Sequence, residues 1–469
     1  MLTYNFTNIG SDSLYHYLYK CIKNDILQGN LGIGEKLPSK RSFAKNLGIS
    51  VITVENAYEQ LIAEGYIYSI PKRGFYVTDF KDMLDTKREV KKKETIALTG
   101  GKNAYLADFS SNQTDQEIFP FTIWTKTVRE ILNDSQLQLM TNPPCGGIME
   151  LRQAIADYIK EFRGMMVRPE QIIVGAGTEY LYGLLIQLLG QDQVYAVEDP
   201  GYQKISKVYE SMKVPCEFIS IDEEGVCIKE LEEKKVDIVH ISPSHHFPTG
   251  IVMPISRRYE LLGWAAKEKN RYIIEDDYDS ELRLSGKPIP TLQSIDVSDK
   301  VIYMNTFTKT LASTVRISYM VLPEPLLDRF YENLSFYSCT VSNFEQYTLA
   351  RFMQNGSFEK HVNRLRNYYQ KKRDFIVKTW SNHPLGRYID ISGEEAGVHF
   401  LMHIKKEREE QEIIELAKAK GIRLIPLSAY SKDQTTTKTN NTYVMNYSSI
   451  KEETIPKVAD LLYKIVAEY

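Results

Sequence analysis

Lys309 stands between two threonines in TFTKTLASTVR, with Arg316 seven residues further on. A lysine in that company can hold a phosphate beside the arginine. It can also attack a carbonyl, once burial and cationic neighbours have deprotonated its amine. A second cluster, EDDYD over 275–279, crowds carboxylates around Tyr278. Such a cluster is costly unless something cationic answers it: a cation, a metal or a protonated ring nitrogen. In GAGTEY (175–180) a glycine turn runs straight into a helical pattern. It would offer backbone N–H groups and the positive end of a helix to an anion, although glycines also sit in such turns for steric reasons alone. In SPSHHFPTG (242–250) two histidines precede a Pro-Thr-Gly turn.

One ligand uses all four features. Pyridoxal phosphate needs a lysine for a Schiff base, a carboxylate for its pyridinium nitrogen, a donor for its ring hydroxyl, a flat stacking partner and an anion cradle. A metal at EDDYD with His245 and His246 is the competing reading, and it leaves Lys309 and the glycine turn without a task.

The four features all follow apolar runs. QIIVGAG, QVYAVEDPGY, VDIVHISPS, RYIIEDDYD and KVIYMNTFT read as strands, separated by helical stretches such as TEYLYGLLIQLLG and SRRYELLGWAAKEK. Strand–helix alternation over some 200 residues predicts an α/β body with a mainly parallel sheet, and ligands bind such sheets at the carboxyl ends of the strands. From about Tyr331 a long helical pattern and two more strands (GVHFLMHI, TYVMNYSSI) suggest a smaller α/β domain. The predicted division is 1–78, a linker at 79–105, a large domain at 106–330 and a small one at 331–469.

Residues 1–78 have a different character. An amphipathic helix runs to Gly29. A short helix follows from Ser39, stopped by Gly48, and a third is capped by Ser50 with Val54, Ala57, Tyr58, Leu61 and Ile62 on one face. IYSIPKRGFYV then reads as a hairpin with Lys72 and Arg73 at its tip. Three helices and a basic-tipped hairpin read as a winged helix-turn-helix, an α+β unit whose third helix would enter the DNA major groove; a small helical cap with no ligand is the alternative, since helix pairs with a glycine turn are common.

At 469 residues the chain exceeds the roughly 250–300 at which one core stops growing. Its 58 basic and 61 acidic side chains give a net charge of -3, which excludes a histone-like coat. The near-neutrality conceals a division: residues 1–78 carry eight basic and six acidic side chains, and 79–94 six and five. Both segments are therefore slightly basic and the remainder is acidic. Five scattered cysteines without a C-x-x-C pair suggest neither a disulfide framework nor a zinc site. With no apolar run long enough for a membrane span and no basic leader, a cytoplasmic protein without a membrane partner is expected.

GEKLPSKRSFAKNLGISVITVENAYEQLIAEGYI resembles the GntR-type winged helix. EDPGY, SPSHHFPTG, IIEDDYDSEL and NTFTKTLASTVRISYMVLP resemble, in that order, the fold-type I aminotransferase domain of the MocR/GabR regulators. The resemblance implies a pyridoxal-phosphate-dependent transcriptional regulator. It would be a head-to-tail, domain-swapped homodimer that binds double-stranded operator DNA and senses a small molecule. It also implies that Lys309 forms the Schiff base, Asp276 meets the pyridine nitrogen, Tyr278 meets the ring hydroxyl and Tyr202 stacks on the ring, with His245 among the cofactor-binding residues. Gly177, Thr178, Thr306, Thr308 and Arg316 would hold the phosphate, and Lys40, Arg41, Ser50, Thr53, Lys72 and Arg73 would meet DNA.

Three departures stand out. Val51 replaces an arginine usual after the helix-opening serine, Phe247 replaces the asparagine of N-P-T-G, and Val444 falls where aminotransferases keep an arginine for a substrate carboxylate. Losing that charge-assisted partner in a buried site is worth about 2–5 kcal/mol. The effector expected is an amino compound without a carboxylate, or pyridoxal phosphate itself, as in relatives that control vitamin B6 synthesis. An active aminotransferase with an accessory N-terminal domain is the alternative, and Phe247 and Val444 weigh against it.

Overall fold

The computed structural model describes residues 2–4, 6, 12–79, 105–111, 114–284, 289–395, 397–405, 408–433 and 441–467. The stretch read as a linker falls outside the described residues except for Asp79 and Tyr105. The chain divides into two compact units, Met1–Gly101 and Lys102–Tyr469.

In the first unit, helix α1 (Leu14–Gln28) ends at Gly29, whose φ of 81° is the left-handed conformation that glycine adopts without a Cβ clash. Strand β1 (Lys36–Leu37) precedes α2 (Lys40–Leu47), which Ser39 caps by accepting from the Ser42 N–H. Helix α3 (Val51–Ala63) is capped in the same way, the Ser50 hydroxyl accepting from Thr53 N at 3.1 Å. Leu18, Ile22, Phe43, Val54, Tyr58 and Leu61 close one core between the helices. Strands β2 (Ile67–Ile70) and β3 (Gly74–Val77) form the hairpin, and β1 adds to β3 to complete a three-stranded sheet.

The second unit begins with β4 (Ala107–Asp108) and builds its main sheet from eight strands. In chain order these are β5 (Ile172–Gly175), β6 (Tyr195–Asp199), β7 (Cys216–Asp222), β8 (Gly225–Val226), β9 (Ile238–Ile241), β10 (Tyr272–Asp276), β11 (Val301–Thr306) and β12 (Ser318–Val321). The spatial order is β5-β12-β11-β10-β9-β6-β7-β8, with β12 antiparallel to both neighbours and β8 antiparallel to β7. Adjacent residues on one strand enter different cores: Ile173, Ile302 and Met320 pack on one face, Val174, Tyr303 and Tyr319 on the other. Burial on both faces is why these strands read as continuous apolar runs.

A second sheet, β13 (Ile389–Ser392), β14 (His399–Ile404) and β16 (Thr442–Asn446), packs against helices Ser357–Asn382 and Ile455–Ala467. Strand β15 (Ile422–Arg423) pairs with β4, so residues 107–109 belong to this C-terminal body although they lie some 250 residues before it. Helix Asn343–Gln354 contributes Leu349, Phe352 and Met353 to the core of the large sheet. The long helix Ser357–Asn382 serves both cores, Phe358 and Val362 packing with the large sheet and Leu365, Tyr369, Ile376 and Trp380 with the small one.

Candidate cofactor site and DNA-reading module

The carboxyl ends of the parallel strands open onto one cavity, lined by Gly177 and Thr178 after β5, Tyr202 after β6, Ser242 after β9, Asp276 ending β10 and Lys309 after β11. Tyr278, Thr306, Thr308 and Arg316 line it too. Of the predicted cofactor residues only His245 is missing from the lining. It lies behind, its Nδ1 2.9 Å from Asp279 Oδ2 and 3.2 Å from the Tyr278 hydroxyl.

The Lys309 amine is buried, and burial brings its pKa down to about 8, opposed by the charge of Asp279. About a tenth of the amine is therefore uncharged at pH 7 and about half at pH 8, as attack on an aldehyde requires. Asp276 Oδ2 accepts from the Tyr182 hydroxyl at 2.8 Å and lies 3.5 Å from His240 Nε2, whose Nδ1 is 2.8 Å from the Tyr209 hydroxyl. Its other oxygen, Oδ1, is buried without a hydrogen-bond partner. A buried acceptor left open is costly, and a protonated ring nitrogen would satisfy it.

The anion end is built differently. Gly177, with φ 94°, caps the helix Thr178–Leu189. That left-handed φ favours glycine, and a Cβ there would also come 2.5 Å from Arg316 Nη2, so the guanidinium would have to shift. The hydroxyls of Thr306 and Thr308 lie 2.7 Å apart, and Ser318 Oγ donates to Thr306 Oγ1 at 2.9 Å. Arg316 donates to Glu179 at 2.5 Å, and Lys204 binds the same carboxylate. Partial burial pushes the Glu179 carboxyl up, but the bonds from Lys204 and Arg316 outweigh it and hold the group below the usual range. These residues fit pyridoxal phosphate: a deprotonatable lysine, an unsatisfied carboxylate oxygen and an anion cradle line one cavity.

The acidic run that suggested a metal is dispersed by strand alternation. Glu275 accepts from the backbone N–H groups of Leu292 and Gln293, Asp277 pairs with Arg163 at 2.7 Å, and Asp279 meets His245. Among the described residues no group of three or more His, Cys, Asp or Glu side chains could hold a metal ion.

Phe247 does line the cavity, packing edge-on against Tyr202 and Tyr278. Val444 is buried in β16 and is absent from the lining, whereas Asn446, two residues on, is present. Sequence reasoning missed Tyr182, His399, Glu179, Lys204 and Asn446. Tyr182 carried a signal, because it falls four residues after Thr178 and so on the same helix face. Asn446 carried a weaker one: it lies two residues after Val444 on the same strand, hence on the same face as the position already singled out.

In the winged module Arg41, Lys72 and Arg73 are exposed, the last two at the hairpin tip where Lys72 has φ 64°. Lys40 is engaged within the module, 2.5 Å from Glu55. Ser50 and Thr53 are tied together by the cap, with 2.8 Å between their hydroxyls.

Comparison with known proteins follows the same division. The bacterial regulatory proteins, gntR family, match residues 14–77, and aminotransferase class I and II matches residues 106–457. The HTH-type transcriptional regulator YdeL of Bacillus subtilis is 40% identical over 426 residues, 91% of each chain. The chain belongs to the MocR-type transcriptional regulators. Its MocR-type relatives include the probable rhizopine catabolism regulatory protein MocR of Rhizobium meliloti, 28% identical over 88% of this chain and 86% of that one. The pyridoxine biosynthesis regulator PdxR of Corynebacterium glutamicum is 28% identical over 92% of each. Among solved structures, an archaeal alanine:glyoxylate aminotransferase superposes with a TM-score of 0.68 at 25% identity, covering 78% of this chain and 92% of that one. As a MocR-type regulator the chain combines a DNA-binding GntR winged helix with a fold-type I aminotransferase-like domain, whose cofactor is pyridoxal phosphate. Among the described residues, no helix is long and apolar enough to cross a membrane.

Proposed function

We propose that this MocR-type regulator uses its aminotransferase-like body as a sensor rather than as an efficient catalyst. Occupancy of the cavity would set the DNA affinity of the winged modules in a cytoplasmic homodimer. The observation that carries the reading is the pairing, on one chain, of a winged helix with a cavity where a buried Lys309 amine and the unsatisfied Asp276 Oδ1 meet.

In this reading Lys309 Nζ would hold the cofactor covalently and Asp276, steadied by Tyr182, would meet its ring nitrogen. Tyr278, with His245 behind it, would serve the ring hydroxyl, and Tyr202 would stack on the ring. Gly177, Thr178, Thr306, Thr308 and Arg316 would hold the phosphate. When bound, the cofactor would supply a carbon that exchanges reversibly between the Lys309 amine, which is released, and another primary amine, which would make the site a detector of such amines.

The effector class follows from charge. The cations lining the cavity are Lys204, Lys309 and Arg316. Two of these already share Glu179, and the third is assigned to the cofactor. Phe247 is apolar and Asn446 is uncharged, so neither adds a charged partner for a carboxylate, and Val444 does not reach the lining. An amino compound without a carboxylate, or pyridoxal phosphate itself, fits this lining, and the latter would agree with the role in PdxR's name.

Domain-swapped, head-to-tail dimerisation is part of the proposal, since a two-fold assembly would read paired half-sites. A gel shift with the promoter region of the protein's own gene, with and without pyridoxal phosphate, tests it. A specific complex at physiological salt whose affinity changes with the cofactor is expected, and no specific complex in either state contradicts the reading. Rapid conversion of bound cofactor to its amine form by a panel of amino acids, near one turnover per second, would favour the aminotransferase instead.

A further inference from the structure

Helix α3 buries Val54, Ala57, Tyr58 and Leu61, and the opposite stripe is formed by Ile52, Asn56 and Glu59, at the i, i+4 and i+7 positions that share a helix face. Asn56 and Glu59 are the polar residues expected there. Ile52 is not: it is 67% exposed, and its neighbour Val51 is 41% exposed. Both lie in the first turn of the helix, beside the cap made by Ser50. The first turn of the second helix in a helix-turn-helix is the part that reaches base edges. Exposed cations suited to phosphates stand on the same unit, Arg41 in the first turn of α2 and Lys72 and Arg73 at the hairpin tip.

We propose that Ile52 is a specificity-determining residue that reads the C5-methyl group of a thymine in the major groove, with Val51 widening the apolar contact. Of the four bases only thymine presents an apolar group in that groove, and apolar side chains are its partners. One turn further along the same face, Asn56 carries the amide that pairs with adenine N6 and N7, so this part of the stripe favours A·T pairs, whereas Glu59 beyond it is suited to accept from cytosine N4. The inference rests on the reading of the chain as a DNA-binding regulator and adds what the helix selects.

The full-length protein, with pyridoxal phosphate present, would select its site from a randomised double-stranded DNA library. Each thymine of that site is then replaced in turn by deoxyuridine, which removes the methyl group and leaves every hydrogen-bonding group in place. At one or two positions the wild type should lose about fourfold in affinity, the equivalent of roughly one buried methyl group. Ile52→Ala should bind the thymine site about as weakly and lose nothing further on the deoxyuridine substitution, while Ile52→Val should keep the penalty. Ile52 is largely exposed, so neither variant threatens the fold.

A selected site with no deoxyuridine penalty anywhere overturns the assignment, as does a full penalty retained in Ile52→Ala. An altered oligomeric mass of Ile52→Ala with the penalty unchanged also overturns it and places the isoleucine at a protein interface. Failure to enrich any sequence overturns instead the DNA-binding reading beneath it.

Discussion

In the winged module the side chains assigned to DNA stand outside a finished core: Arg41, Lys72 and Arg73 are exposed, while Phe43, Val54, Tyr58 and Leu61 are sealed beneath them. In the large body the order is inverted. Lys309, Asp276 and Thr306 are themselves buried, and the last two are held by groups from other strands and helices. The difference has a consequence for how each region fails. Exposed cations act separately, through salt-screened interactions that can be altered without cost to the fold. Buried polar groups are coupled, so removing one leaves its partners unsatisfied.

The largest effect that would sharpen this contrast is all-or-none. Lys309→Ala should abolish the visible absorption of the lysine-bound cofactor while leaving circular dichroism and the unfolding midpoint close to wild type; a surviving band would refute the lysine assignment. Next, Asp276→Ala leaves the buried Tyr182 hydroxyl without its acceptor and, on the proposed assignment, removes the partner of the ring nitrogen. Cofactor affinity measured by equilibrium titration should fall by about 2–3 kcal/mol, one to two orders of magnitude.

pH should act on the body through Lys309. Burial lowers its pKa to about 8, so the amine is protonated below that value and uncharged above it. The rate at which apoprotein gains its visible band should therefore rise about tenfold per pH unit up to roughly pH 8 and then level off. An unchanged rate from pH 6 to 9 would break the argument.

The module should respond more gently. Lys72→Glu with Arg73→Glu should weaken DNA binding and flatten its salt dependence, by about one unit of log–log slope for each phosphate no longer neutralised, with cofactor binding untouched. Ser50→Ala should lower the unfolding free energy of the module by about 1 kcal/mol through loss of the cap on α3, measured by denaturant titration of the two transitions.

The same inversion explains how much could be read from the sequence. The module was legible almost residue by residue because its determinants are local: Gly29 and Gly48 end helices, Ser39 and Ser50 begin them, and Lys72 and Arg73 mark a tight turn. The strands that deliver Asp276, Lys309 and Gly177 were also legible, since burial on both faces makes them apolar runs. Strand β7 was not, because CEFISID mixes half-buried and exposed positions near the edge of the sheet.

The partners of the buried groups were out of reach for another reason. Tyr182 meets Asp276 across 94 residues of sequence and Arg163 meets Asp277 across 114. The β4–β15 pairing, likewise, joins the segment at 107 to the C-terminal body. Only tertiary packing specifies such pairs.

The central claim, that the buried cavity governs the exposed reader, is tested most directly by titrating full-length apoprotein with pyridoxal phosphate and following its affinity for the selected operator by fluorescence anisotropy. The account predicts a several-fold change in wild type, saturating with the visible band, and no change in Lys309→Ala. Equal operator affinity with and without bound cofactor, and with each amino compound tested on the loaded protein, would contradict it.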